Sequence, residues 1–358
     1  LVMSSILVFQ RSSRLVSGWM VPRSATLGMA RHTGSITTEC SYPKRKRDAF
    51  LRLSSSSSSS STSESETKES VDLGVEEELV EEPPLYRCEG LLAVNKPLEW
   101  TSQDVVGYIR RMLERDARER GAPVMKLKKR GNKKLMIRVG HGGTLDPLAT
   151  GVLVIGVGKG TKQLQQYLNG NKRYTASAEL GYETTTLDLE GNITKSVPWE
   201  QISDSIEIKS LEAILPQFKG TIQQVPPMFS AIKKNGKKLY EMARKGVTEE
   251  DMTIPPREVQ IHQLDLLPDT DNDKKGLPHF YLNVECGGGT YIRSLIRDMG
   301  HSLDTYATMT SLVRTKQGPF TLDDTFEKDE WNPDTLYAAI EKSNQYFASL
   351  DQTSEETE

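Results

Sequence analysis

Val139-Gly140-His141-Gly142-Gly143-Thr144-Leu145-Asp146-Pro147-Leu148-Ala149-Thr150-Gly151 runs directly into Val152-Leu153-Val154-Ile155-Gly156. Four glycines and a proline in the first 13 residues force a tight, irregular loop. The apolar run behind it reads as a buried strand. Asp146 thus lies on a loop at a strand entry, where a substrate can reach it. The same side chain can instead do no more than cap a turn, and composition leaves both readings open. A zinc site at His141 and Asp146 lacks partners, because the other four histidines show no ligand spacing. The glycines that follow, through Gly156-Val157-Gly158-Lys159-Gly160-Thr161, miss the Walker spacing and the GxGxxG pattern, so they read as turn glycines.

Outward from this loop the chain mixes strands and helices. Gly90 to Lys96 is a short apolar strand stopped by Pro97. Thr101 or Ser102 caps a helix whose buried face is Val105, Val106, Ile109 and Met112. Residues 114–134 are charged, with six Lys/Arg between Lys126 and Lys134, and read as an exposed loop or helix extension. Thr161 to Asn169 has helical spacing, Tyr174 to Leu180 and Phe280 to Cys286 alternate as half-buried strands do, and Thr290 to Met309 is helical in pattern with a break at Gly300. No regular βαβ spacing occurs. The expected class is therefore α+β, a mixed, mainly antiparallel sheet flanked by helices.

Two further segments carry chemistry-bearing residues. Cys286-Gly287-Gly288-Gly289-Thr290-Tyr291-Ile292-Arg293 places glycines before a helix start and an arginine in its first turns. Arg293 there either faces a carboxylate or phosphate, or lies on the surface. Phe229-Ser230-Ala231-Ile232-Lys233-Lys234-Asn235-Gly236-Lys237-Lys238-Leu239-Tyr240 sets four lysines around an Asn-Gly turn with aromatics nearby. That pattern suits RNA phosphates and base stacking, and equally a solvated loop.

The ends differ from the middle. Hydrophobic residues make up 36% of the 358, low for a chain packed throughout. Residues 1–84 carry a net charge of −1, residues 85–325 a net of +5, and residues 326–358 a net of −7. Residues 1–47 are rich in arginine and serine and poor in acids, as a mitochondrial or plastid transit peptide is. Lys44-Arg45-Lys46-Arg47 also fits a nuclear address. The serine run Ser54–Ser61 and the glutamates after it bury too little apolar surface to offset chain entropy, so residues 1–84 are expected to be a disordered tail. Cys40, Cys88 and Cys286 suggest neither a disulfide framework nor zinc, and no run of about 18 apolar residues exists to span a membrane. Residues 328–348 are expected to hold one short helix in an acidic extension, the folded part fading after Phe320.

Taken in order, these segments resemble the TruB family of RNA pseudouridine synthases from about Gly90 to Phe320. The carriers are Gly90–Pro97 with Thr101-Ser102, then His141–Leu153, then Lys172-Arg173-Tyr174 with Leu180-Gly181, Thr184, Thr186 and Asp188. Gln224–Ala243, Gly289–Leu295 and Leu312-Val313-Arg314 complete the set. The resemblance implies a pseudouridine synthase domain over 85–325 with an RNA-gripping thumb at about 223–255. It implies that Asp146 is the nucleophile, that Tyr174 stacks on the flipped base and helps remove its C5 proton, and that Arg293 pairs with the aspartate. His141, Lys96, Pro97, Thr144, Asp188, Lys233, Lys237, Lys238 and Tyr291 are implied on the substrate side.

A target base must leave its stack, so an aromatic platform and backbone contacts are needed, and an Arg partner favours an ionised Asp in a dry pocket. No metal or organic cofactor is implied. The 38 residues after Phe320 are too few for the PUA domain of many relatives. That favours a stand-alone, monomeric enzyme acting on the T-arm of tRNA at position 55, with mRNA as a further candidate substrate. A guided rRNA enzyme of the dyskerin branch and a non-catalytic tRNA-binding module are the alternatives. The basic stretch Lys126–Lys134 is expected to grip RNA backbone. A chain starting at Pro83 is expected to keep full activity in vitro and lose organelle targeting; a soluble but inactive truncation would contradict this.

Overall fold

The computed structural model describes residues 87–122, 137–248, 251–268 and 276–355. The leader, the serine run and the basic stretch 126–134 lie outside the described residues.

A nine-stranded sheet organises the described chain. Its path runs β1 (Gly90–Lys96), β3 (Ala149–Val157), β12 (Ala307–Gln317), β4 (Lys172–Leu180), β11 (His279–Cys286), β10 (Arg257–Leu267) and β7 (Gly220–Gln224). Short β2 (Val139–His141) and β13 (Phe320–Thr321) pair with β3 and β12. Among the described residues the strand pairs of this sheet are antiparallel except β3 with β12. Two small hairpins, β5 (Tyr182–Thr184) with β6 (Ile193–Ser196) and β8 (Lys233–Lys234) with β9 (Lys237–Lys238), stand outside it. The α+β expectation holds.

The helices are α1 (Ser102–Glu119), α2 (Leu164–Asn169), α3 (Trp199–Ile202), α4 (Ile208–Ile214), α5 (Leu239–Ala243), α6 (Ile292–Ser302) and α7 (Pro333–Glu355). Buried Leu295, Ile296 and Met299 of α6 and Leu211 and Ile214 of α4 join one core with Ala176, Leu282, Val284 and Met309 of the central strands. Val105, Val106, Ile109 and Leu113 of α1 join a second with Leu92, Val94, Leu153 and Ile155. Each such side chain contributes about 1.5–3 kcal/mol when fully buried. The alternate residues of β1 and β3, Leu91, Ala93, Val152 and Val154, face Tyr167 and Phe320 instead. Strand β3 is therefore covered on both sides, which is why it reads as a continuous apolar run rather than an alternating one.

Three expectations change. The helical pattern over 290–309 ends at Ser302, and Ala307–Met309 belong to β12. Gly300 marks the break because the chain folds back so closely that a Cβ there would press on Ala307. Helix α1 does extend, to Glu119, but the extension is not exposed throughout, because Glu114, Asp116 and Ala117 are buried. At the C-terminal end, α7 is 23 residues long, and Trp331, Leu336, Tyr337 and Ile340 enter the second core. The extension is packed despite its acidity, because its apolar residues share one face.

Candidate active site

The Asp146 loop is fastened at both flanks. Thr101 caps α1 in a reciprocal arrangement, its Oγ1 accepting the Asp104 N–H at 3.1 Å and the Asp104 carboxylate accepting the Thr101 N–H at 3.0 Å. A cap of this kind contributes about 1 kcal/mol. It fixes the next residue, Ser102, whose buried Oγ accepts the Leu145 N–H at 2.8 Å and donates to the Leu145 carbonyl at 3.2 Å. On the other flank, the Pro147 carbonyl accepts from Lys96 Nζ at 3.1 Å and from the Glu99 N–H at 2.9 Å. Gly151, the third residue of β3, has φ 98°, and a Cβ there would collide with the backbone of Arg314, so only glycine lets β3 lie against β12 at this point.

Asp146 keeps its side chain 31% exposed while its partner is 4% exposed. That partner is Arg293, in the first turn of α6, whose Nε lies 2.9 Å from Asp146 Oδ2. The guanidinium has no freedom to leave. Nη1 donates to the Thr186 carbonyl at 2.6 Å and lies 3.5 Å from Asp188 Oδ2, and Nη2 donates to the Phe229 carbonyl at 2.9 Å. The helix start that carries it is pinned by Gln224, which accepts the Tyr291 N–H at 2.8 Å and donates to the Tyr291 carbonyl at 3.1 Å. An open carboxylate beside a fixed, dry cation is an arrangement suited to nucleophilic attack.

Tyr174 projects from β4 with Arg314 of β12 opposite it in register. It is buried, and burial pushes its hydroxyl pKa up, with the Arg314 cation acting in the opposite direction. Arg314 is itself fully buried; its Nε donates to the Val152 carbonyl at 2.7 Å and its Nη2 to the Gly143 carbonyl at 3.2 Å. His141 closes the loop from β2, its Nδ1 accepting the Gly143 N–H at 3.4 Å. Burial, then the nearby Arg314, lowers its pKa.

Two residues expected on the substrate side have other work. Lys96 is buried, and its ammonium is spent on the carbonyls of Pro97, Trp100 and Pro147 at 2.7, 2.5 and 3.1 Å. Burial lowers its pKa to about 8, against the opposing pull of Asp146. Lys96 braces the pocket floor and has no donor left for substrate. Asp188 is likewise buried: its Oδ1 accepts from Thr186 Oγ1 at 2.5 Å and from the Glu190 N–H at 3.0 Å, and its Oδ2 faces Arg293. It orients the arginine. Pro97 is half-buried at the loop start, Thr144 is exposed beside Asp146, and Tyr291 is half-buried at the start of α6.

The lysine hairpin lies where the resemblance puts the thumb. Asn235 and Gly236, both with positive φ, make the turn between β8 and β9. Lys233 and Lys237 are exposed, whereas Lys238 sits 5.2 Å from the Tyr240 ring centroid with its Nζ donating to the Tyr240 hydroxyl at 3.2 Å. The root of this element touches the site directly, through the Phe229 carbonyl on Arg293. Among the described residues no group of three or more His, Cys, Asp or Glu is placed to hold a metal ion.

Sequence reading named Arg314 without a role and gave Ser102 only that of a candidate helix cap. An arginine amid apolar residues on a strand, and a serine just after a helix cap, are the signals that mark them.

Comparison with known proteins places this geometry. Residues 128–292 match the TruB family pseudouridylate synthase model for the N-terminal domain. The chain is 41% identical over 264 residues to pseudouridylate synthase TRUB1 of Homo sapiens, covering 74% of this chain and 71% of that protein. It is 41% identical over 235 residues to tRNA pseudouridine synthase B of Microcystis aeruginosa, covering 66% of this chain and 69% of the relative. With that much of both chains shared, and with the matched residues spanning the loop and the helix start just described, this chain belongs to the TruB family of pseudouridylate synthases.

Proposed function

We propose that this isomerase converts the uridine at position 55 in the T-loop of tRNA to pseudouridine, with Asp146 as the nucleophile. The observation that carries the reading is the half-open Asp146 carboxylate held 2.9 Å from the buried guanidinium of Arg293. Asp146 attacks and forms a covalent bond to the target nucleotide; the N1–C1′ bond breaks, the base turns, C5 bonds to C1′, and the bond to Asp146 is released, which restores the carboxylate. The C5 proton leaves and N1 takes one up, so atoms balance and no electrons are exchanged. Tyr174 lines the pocket as the base platform, and its phenolic oxygen relays the C5 proton, passing its own O–H proton on as it takes that one up. Asp188, Thr186 and Phe229 hold Arg293, and Lys96 holds Pro147. The bacterial relatives named as tRNA pseudouridine synthase B support tRNA as the substrate class. The test is pseudouridine mapping on a tRNA transcript treated with the purified chain, beside a transcript carrying cytidine at position 55. Modification confined to position 55 supports the reading, and no product at that position sinks it.

Tyr174→Phe keeps the ring and removes the hydroxyl. Turnover is expected to fall at least about 10²-fold while RNA affinity stays within about threefold. Reduced affinity with unchanged turnover would make Tyr174 a binding residue only.

Lys233 and Lys237 are exposed and project from the hairpin into solvent. Replacing both by Ala should weaken tRNA binding and lower the slope of log K against log salt by up to about two. Turnover at saturating RNA should stay within about threefold. Filter binding at four salt concentrations reads this directly; an unchanged slope would remove these lysines from the RNA surface.

A further inference from the structure

The acidic extension reaches the catalytic loop. The Phe326 carbonyl accepts the Asn95 N–H at 3.1 Å and the indole N–H of Trp331 at 2.8 Å. The Asn95 side chain bridges the extension to the Asp146 loop, its Nδ2 donating to Glu327 Oε1 at 2.6 Å and its Oδ1 accepting the Gly151 N–H at 2.9 Å. Trp331, 5% exposed, meets the Trp100 ring edge-on at 6.3 Å and Tyr108 at 5.9 Å. Lys328 Nζ lies 4.5 Å from the centre of the Trp100 ring.

Trp100 closes the loop 97–100, and that loop holds Pro147. The Trp100 carbonyl is one of the three that orient Lys96 Nζ, and Lys96 and the Glu99 N–H together grip the Pro147 carbonyl. Glu99 sits at φ 65°, a conformation that costs a non-glycine residue free energy and persists only where the surroundings enforce it. Leu98 beside it is exposed and anchors nothing. The Trp100 ring is backed by Tyr108 of α1 at 5.6 Å and, from the extension, by Trp331 and Lys328.

We propose that Phe326–Trp331 is a positioning element for the reaction: it fixes the 97–100 loop, which through Lys96 and Glu99 fixes Pro147 and so the Asp146 carboxylate. This rests on Asp146 being the nucleophile. The extension is then part of the catalytic apparatus although none of its atoms touches the reacting groups.

The experiment compares Trp331→Ala, Trp331→Phe and Ile340→Ala in the full chain. Ile340 is buried in the same core but sits over Gly90, at the far end of β1. A loosened catalytic loop costs rate rather than affinity, so Trp331→Ala should lower kcat about tenfold with KM for tRNA within about twofold. Trp331→Phe keeps an aromatic ring against Trp100 and should recover kcat to within about threefold. Ile340→Ala should lower the melting temperature at least as much and leave kcat within about twofold.

If kcat instead follows melting temperature across all three variants, or if the change falls on KM, the proposal is overturned. Should Trp331→Ala not fold, Glu327→Ala decides. A loss of about threefold in kcat, rescued by Glu327→Gln, upholds the proposal, and an unchanged kcat overturns it. A wild-type chain that makes pseudouridine, beside an inactive Asp146→Asn control, shows that the nucleophile reading stands in every arm. A wild-type chain with no activity would strike that reading instead.

Discussion

Asp146→Asn is expected to stop pseudouridine formation, lowering turnover at least about 10³-fold, because the amide keeps the size of the side chain and loses its nucleophilic charge. The rest of the site should survive the change. Arg293 retains Asp188 and the carbonyls of Thr186 and Phe229. The loop retains its ties to Ser102 and Lys96, which use backbone atoms of Leu145 and Pro147. The fold should therefore lose no more than about 1 kcal/mol, and tRNA affinity should stay within a few-fold. Pseudouridine quantification under single-turnover conditions, with binding measured on the same preparation, checks both halves. Turnover by the variant within about tenfold of wild type would remove Asp146 from the chemistry.

Arg293→Met should damage both chemistry and stability. The side chain length is kept, but the Asp188 carboxylate, which is buried, loses its cation, and the carbonyls of Thr186 and Phe229 lose their donor. Removing one partner of a buried ion pair costs about 3–5 kcal/mol. For a domain of this size that corresponds to a drop in melting temperature of roughly 6–20 °C. Turnover should fall at least about 10³-fold, because Asp146 loses the group that holds its orientation. Arg293→Lys separates charge from shape. An ammonium cannot serve Asp146, Asp188 and two carbonyls in the planar fork that guanidinium provides, so it should recover part of the stability and little of the rate. A lysine variant with near wild-type turnover would show that only the charge matters here.

The loops and turns around the site were largely legible from local sequence, because their determinants are local, while the chemistry of their residues came only through the resemblance. Asp146 stands out because glycines and proline around it dictate an irregular loop, and Thr101 with Asp104 writes its own helix start. The alternation of Tyr174 to Leu180 survives because β4 pairs without interruption on its β11 side. The Asn235-Gly236 turn carries its positive φ values in its residue types. Where neighbours in the chain set the conformation, residue types report it.

Other features depend on partners far away. Strand β12 was hidden because its pairing with β4 shifts register between Met309 and Ser311 and again between Arg314 and Lys316, so no period of two runs along it. It is also the partner of β3 in the parallel pairing, which ties Arg314 to Gly151 across 163 positions and lets a charged residue be buried in a strand. That Arg293 meets Asp146 could be expected only through resemblance, since nothing in either segment specifies the other. The resemblance puts Lys96 and Asp188 on the substrate side, and only the fold shows their polar atoms already used inside the protein. The acidic extension carries the same lesson: its charge reads as solvated, while Trp331, Leu336 and Ile340 on one face bury against α1 and β1. Sequence by itself determined the class of fold, the irregular loop that holds Asp146 and the Asn235-Gly236 turn, because short-range sterics and periodicity suffice for these. Tertiary structure decided which buried charges pair, which lysine is a brace, and that the chain's last helix belongs to the core, because burial and hydrogen-bond satisfaction are properties of the whole packed molecule.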